Sequence, residues 1–320
     1  MNEHYSNNEE AYIEKLSTNL GKLKLKTPWI MASGTFGYGY ELKEVTDYRF
    51  IGAITTKTIT RKTKAGNLPP RLFQINKGLL NTIGLANAGM EDFKDGIFPL
   101  LKDIEPRLIL SIGGESVDEY LEVIENLEGL KKVSAIELNV SCPNIDISGK
   151  NLCQSPDRLS SLVKLARGIT SKPIIVKITP NEINTAGISN LCISAGADIL
   201  NISNTFTGTF LTFPDLKFVL SRPLGGYSGK PVFPISLAKV WQTRQELNSP
   251  IIASGGVEDL KSAISFLAVG ANAVSIGTGI FKDYGLPKKL SLGLLTYLKK
   301  RDITIDKLIG IASIEDNRGE

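Results

Sequence analysis

Eight short runs of apolar, β-branched residues, at 29–33, 51–57, 107–112, 135–141, 173–178, 197–202, 250–254 and 271–276, divide the chain into repeating units. Most are followed by a segment whose apolar residues recur at three-and-four spacing, as at 117–126, 156–169, 237–247 and 260–269. Runs such as Pro173-Ile174-Ile175-Val176 and Pro250-Ile251-Ile252-Ala253 are apolar at consecutive positions, so both of their faces must be buried. Parallel strands joined by helices meet that demand, and eight such units close on themselves. The pattern predicts an α/β fold, a (β/α)8 TIM barrel with long loops after strands 2 and 6, at 58–106 and 203–249. Long loops on a barrel are where ligands are held.

The 320 residues are read as a polar N-terminal extension, 1–16, followed by a single barrel domain, 17–320. A formal net charge of +4, without a dense Lys/Arg block, gives no support for a nucleic-acid surface and suits a small anionic substrate. The acidic start lacks a signal pattern, and no apolar run approaches the ~18 residues of a membrane span, so the expectation is a cytoplasmic protein with no membrane anchor. The three cysteines, Cys142, Cys153 and Cys192, have no CxxC spacing, and the sole histidine is His4 in the polar tail. Neither a metal site nor a histidine base is expected.

Polar residues or glycines close nearly every strand: Ser33-Gly34-Thr35, Lys57, Ser111, Asn139 with Cys142, Lys177, Asn204-Thr205, Gly255-Gly256 and Gly277-Thr278. Lys57 and Lys177 each follow several buried apolar residues, so their charge points into the barrel mouth and calls for an anionic partner. Bare backbone after strands seven and eight is where barrels of this kind bind phosphate. Cys142 leaves the fourth strand just ahead of Pro143, flanked by the amides of Asn139 and Asn144, which suit a planar polar ligand beside the sulfur. Cys153 and Cys192 lack such company and read as structural.

Nine segments in order and spacing resemble the class 1 dihydroorotate dehydrogenases: A-S-G-T-F-G at 32–37, T-K-T at 56–58, N-T-I-G-L-A-N-A-G at 81–89, E-L-N-V-S-C-P-N at 137–144, V-K-I at 176–178, N-T at 204–205, G-G-Y-S-G at 225–229, A-S-G-G at 253–256 and I-G-T at 276–278. The resemblance covers about 16–312, and a cysteine rather than a serine marks class 1. It implies FMN across the barrel mouth. Ser33, Lys57 and Thr58 would approach the flavin, Gly229, Gly255, Gly256, Gly277 and Thr278 its ribityl phosphate, and Ser203 would contribute backbone. Lys177 would face the pyrimidine edge, and Asn139 and Ser111 would also touch the cofactor. Ser111 stands where many relatives have asparagine.

The same resemblance assigns dihydroorotate and orotate to Lys57, Asn81, Gly84, Leu85, Asn139, Asn144, Asn204 and Thr205. It makes Cys142 the base that removes the C5 proton while hydride leaves C6 for flavin N5, a step of pyrimidine biosynthesis. The 79–89 loop resembles class 1B more than the fumarate-using class 1A. The family resemblance implies a homodimer of catalytic chains, and class 1B a partner subunit that carries FAD and an iron-sulfur cluster and passes electrons to NAD. This chain offers neither a dinucleotide fingerprint nor cluster cysteines of its own. Two rivals compete with this reading, one another FMN barrel with a catalytic cysteine and one from a different class. A tRNA dihydrouridine synthase needs a broad basic surface, whereas Lys288, Lys289, Lys299, Lys300 and Arg301 form only a short helix face. A silent phosphate-binding scaffold has no use for two lysines, a cysteine and four asparagines at strand exits.

Overall fold

The computed structural model describes residues 13–141 and 155–312. It opens on a hairpin, β1 (Thr18–Leu20) and β2 (Leu23–Leu25), followed by β3 (Trp29–Met31) and β4 (Ala53–Thr55). Then come β5 (Leu72–Ile75), β6 (Gly78–Asn81), β7 (Arg107–Ile112), β8 (Val133–Asn139), β9 (Ile174–Ile178) and β10 (Ile199–Ile202). The last four are β11 (Phe206–Gly208), β12 (Gly225–Gly229), β13 (Ile251–Ser254) and β14 (Ala273–Ile276). Eight of them form a closed barrel in the order β10-β13-β14-β3-β4-β7-β8-β9, parallel at every junction. All eight fall within the apolar runs of the sequence or within two residues of them.

Five helices complete crossovers or cap the ring: α1 (Val117–Leu127), α2 (Pro156–Ile169), α3 (Thr185–Ser194), α4 (Phe233–Glu246) and α5 (Leu260–Ala268). A sixth, α6 (Leu286–Arg301), follows β14. Ser116 and Asp259 cap α1 and α5 by accepting the backbone N–H of Glu119 and Ser262, the side-chain capping that sets where such helices begin. The spacing rule places the start of α4 at 237, four residues late, because Pro234 sits in its first turn, where the missing N–H costs nothing. Between β3 and β4 only a single turn, Tyr48–Phe50, takes the place of a helix.

Alternation along each strand sorts the side chains. Trp29, Ile54, Leu108, Ile136, Val176 and Leu200 face outward into one continuous core under the helices. Ile30, Ala53, Ile109, Ala135, Ile175, Ile199, Ile252 and Ala273 face inward and meet Leu20, Leu23 and Leu25 of the hairpin, which plugs the bottom. Two residues further along each strand the inward side chains turn polar, with Ser111, Glu137, Lys177, Asn201, Ser254 and Ser275 all buried. Such a change of polarity inside a barrel tells bottom from mouth.

The two long connections follow the second and sixth barrel strands as expected, and they carry strands of their own. They fold together into one antiparallel sheet of four strands, β11-β12-β6-β5, beside the mouth. Ile13 and Leu16, at the end of the stretch read as a polar extension, are buried. Cys192 lies fully buried in α3. Among the described residues no helix is long and apolar enough to cross a membrane.

Candidate active site

At the C-terminal ends of β3, β4, β7, β8 and β10 a single hydrogen-bonded chain crosses the barrel mouth. Thr58 Oγ1 is its hub, 3.3 Å from Ser33 Oγ, 3.0 Å from Ser111 Oγ, and accepting from Asn139 Nδ2 at 3.0 Å. Asn139 Oδ1 in turn accepts from Ser141 Oγ at 2.8 Å, and Ser141 Oγ accepts from Asn204 Nδ2 at 2.5 Å. Tyr120 of α1 fixes the strand end from outside, its hydroxyl donating to Asn139 O at 2.8 Å. Six side chains from five segments are thereby held at fixed separations, and two of them are amides with capacity left for a ligand.

Both lysines stand at this mouth. Lys57 sits two residues beyond β4, and its backbone N–H donates to Gly37 O at 2.8 Å. The loop that supplies Gly37 is itself bound by Glu41, whose carboxylate accepts the N–H groups of Tyr38, Gly39 and Tyr40. Burial pulls the Lys57 ammonium below its ordinary pKa of 10.5; the charge of Glu41 opposes this and Arg71 adds to it. Lys177 is deeper, 6% exposed, and its ammonium has no hydrogen bond or ion pair to any described residue. A buried cation left in that state is held ready for an anion or a polar edge.

The antiparallel sheet brings a second group alongside. Asn81, the last residue of β6, donates from Nδ2 to Gly226 O at 3.0 Å, and Gly226 lies so close to Thr205 that a Cβ there would meet Thr205 Oγ1 at 2.1 Å. Leu85 borders Gly113, which in turn lies against Thr58. Gly84 is exposed on the same loop, Ser203 contacts Asn204 O, and Gly229 ends β12; these three are outside the hydrogen-bonded chain. Gly255 and Gly256, with φ of +120° and +79°, end β13 tightly against α4, where Cβ atoms would meet Ser236 Oγ at 2.2 Å and the Phe233 backbone N at 2.8 Å. Gly277 is different: a Cβ there would meet nothing nearer than Ala32 at 3.9 Å. Thr278 follows it and opens a short helical turn. Cys142, Asn144 and Cys153 lie outside the described residues.

A family model described as dihydroorotate dehydrogenase matches residues 15–298. The chain belongs to the dihydroorotate dehydrogenase family. Relatives called "Dihydroorotate dehydrogenase B (NAD(+)), catalytic subunit" include those of Geotalea daltonii, 37% identical over 93% of this chain and 98% of the relative, and Carboxydothermus hydrogenoformans, 38% identical over 95% and 98%. A crystal structure of a dihydroorotate dehydrogenase from Eimeria tenella, in complex with ferulenol, superposes with a TM-score of 0.75 over 96% of this chain and 89% of that one. At 23% identity that likeness bears on the fold, which is the same barrel.

Sequence reasoning passed over three polar residues that the barrel of this dihydroorotate dehydrogenase family member brings to the same place. Ser141 links two asparagines that were singled out separately. Glu137 lies one level below Asn139 on β8, and Asn201 of β10 donates to it from Nδ2 at 2.7 Å to Oε2. The signal for all three was present: Glu137, Asn139 and Ser141 alternate along one strand, so whatever places Asn139 inside places its neighbours at i−2 and i+2 inside too.

Proposed function

We propose that this chain is the catalytic subunit of an FMN-dependent dihydroorotate dehydrogenase of class 1B, oxidising (S)-dihydroorotate to orotate. The observation that carries the reading is the hydrogen-bonded chain from Ser33 through Thr58, Asn139 and Ser141 to Asn204, placed between two lysines at the barrel mouth. An orotate ring presents alternating carbonyl and N–H groups and a carboxylate, and Asn139, Asn204 and Asn81 with Lys57 complement that edge. Asn144, Gly84, Leu85 and Thr205 complete the proposed substrate set.

The residues present fit a flavin mononucleotide. Lys177 supplies a buried ammonium without a partner among the described residues, Ser275 Oγ is buried without a partner beneath, and Gly277 and Gly34 leave open backbone above β14 and β3. Ser33, Lys57, Thr58, Ser111, Asn139, Lys177 and Ser203 would hold the ring and ribityl chain, and Gly229, Gly255, Gly256, Gly277 and Thr278 the phosphate. The bound flavin supplies a hydride acceptor for C6 of the substrate. Cys142 takes the C5 proton, a task for a thiol whose basicity is matched to the step. Thr58 holds Asn139 from one side and Ser141 from the other, so the amide that grips the ring cannot rotate with it. Lys57 pairs with the substrate carboxylate, which its partly buried ammonium meets without competition from bulk water.

Electron transfer onward to NAD belongs in this proposal to a partner subunit with FAD and an iron-sulfur cluster, and the catalytic chains pair as a homodimer in the cytoplasm. The names of the relatives support a partner, and the exposed apolar side chains Phe210, Leu211, Phe213, Leu216 and Phe218 between β11 and β12 offer surface for association. The deciding experiment is optical. Purified protein should be yellow and should bleach anaerobically with dihydroorotate, and Cys142→Ser should keep its colour while bleaching at least tenfold more slowly at neutral pH. Colourless protein unable to take up FMN, or a serine variant as fast as the parent, refutes the assignment.

A further inference from the structure

Glu137 and Lys177 are the only charged side chains fully buried among the described residues, at 1% and 6% exposure. They carry opposite charge, stand on the neighbouring strands β8 and β9, and both face the barrel interior. The register pairs Asn139 with Lys177 and Glu137 with Ile175, which sets Glu137 one inward level below the lysine. On the other side Asn201 of β10 is level with Lys177, and its amide reaches across β9 to Glu137 Oε2 at 2.7 Å. The carboxylate is thus held against the strand that bears Lys177.

The remaining polar atoms of this group are unsatisfied. Glu137 Oε1 and Asn201 Oδ1 are buried without a hydrogen-bond partner, and the Lys177 ammonium has none among the described residues. A lone buried charge is costly, whereas two of opposite sign in one low-dielectric interior compensate each other even when not in contact. The core of the barrel is therefore neutral only while both are present.

We propose that Glu137 is the counter-charge of Lys177, a positioning residue that acts through the lysine from one level below and lowers the positive field felt by the bound flavin. The proposal rests on the FMN reading above. Reduction places negative charge on the pyrimidine edge, which Lys177 favours. Unopposed, the lysine would make the reduced flavin too stable a resting place for electrons bound for a nicotinamide. Glu137 offsets part of that, so that dihydroorotate reduces the flavin and the flavin still gives up its electrons.

The test is the midpoint potential of the flavin in the holoprotein, measured by anaerobic dye equilibration. Glu137→Gln keeps an oxygen to accept from Asn201 and removes only the charge. It should shift the two-electron equilibrium toward the reduced flavin by about tenfold, which is ~30 mV upward. In a Lys177→Gln background the same substitution should move the potential distinctly less, because its counter-charge is gone. An unmoved potential, or an equal shift in both backgrounds, overturns the proposal while a yellow protein bleached by dihydroorotate leaves the enzyme assignment standing. Should Glu137→Gln alone fail to fold, the double variant decides: recovery of a folded protein on adding Lys177→Gln supports the pair, and failure of the double where Lys177→Gln alone folds overturns it.

Discussion

Ser141 has a hydroxyl with two roles at once: it donates to Asn139 Oδ1 and accepts from Asn204 Nδ2. Thr58 holds Asn139 at Nδ2 and the backbone N–H of Thr205 holds Asn204 at Oδ1, and the serine closes the other end of each amide, so that together they fix which way each presents its donor and acceptor. Removing it leaves each amide with one anchor in place of two, and about 1 kcal/mol, the worth of a single hydrogen bond, is then lost from substrate affinity. Ser141→Ala should therefore raise KM for dihydroorotate about 5- to 10-fold, in line with that loss. Flavin content should stay unchanged, and Ser141→Thr, which restores the hydroxyl, should recover most of the effect. Steady-state kinetics with flavin quantified by absorbance separate this from a folding defect. A fall in kcat with KM unmoved, or no rescue by threonine, would remove Ser141 from the substrate grip.

The end of β13 and the end of β14 both carry glycine, yet for different physical reasons. Gly256 adopts φ of +79°, and a Cβ would press on the backbone of Phe233 at the start of α4. Gly256→Ala meets both the left-handed penalty of about 1–2 kcal/mol and a displaced helix start, so it should lower the unfolding temperature whether or not flavin is present. Gly277→Ala meets open space instead, so the flavin-free protein should unfold at the parent temperature while FMN retention weakens, because the methyl occupies the space proposed for the phosphate. Thermal unfolding with and without FMN reads both, and a Gly277→Ala protein that retains FMN like the parent would remove that glycine from the cradle. The same contrast explains how much of the molecule the sequence revealed. The barrel strands were legible because each is a run of consecutive apolar residues, and their exits followed from where each run stops. The antiparallel sheet was not, because β5, β6, β11 and β12 are short, the last three contain glycine, and Asn81 finds Gly226 across 145 residues of chain. Glu137 and Asn201 went unread for a related reason: a polar residue inside an apolar run looks like a strand edge until the closed ring shows that every second position faces a common interior.

For the whole molecule the question is where two electrons go after the substrate has given them up. The barrel provides one polar mouth over a sealed floor, with Leu20, Leu23 and Leu25 closing the opposite end. A redox relay therefore has to leave by the mouth or by the surface around it. Within the chain itself the materials for a relay are missing: three cysteines fall short of the four thiolates that hold an iron-sulfur cluster, and no glycine-rich dinucleotide turn follows the first barrel strand. The relatives in Geotalea daltonii and Carboxydothermus hydrogenoformans are called catalytic subunits of NAD-type enzymes, which fits a division of labour between chains. The purified chain should accordingly be reduced by dihydroorotate in single turnover yet reduce NAD at a rate indistinguishable from background. The complex recovered by pull-down from the native source should reduce NAD with multiple turnovers and show absorbance from FAD and an iron-sulfur cluster that the isolated chain lacks. Parallel assays with fumarate and quinone complete the comparison, since steady fumarate turnover by the isolated chain would place it in class 1A. Sustained NAD reduction by the chain alone would require a nicotinamide to reach the flavin directly through the same mouth that Lys57, Asn139 and Asn204 line, and would overturn the need for a partner.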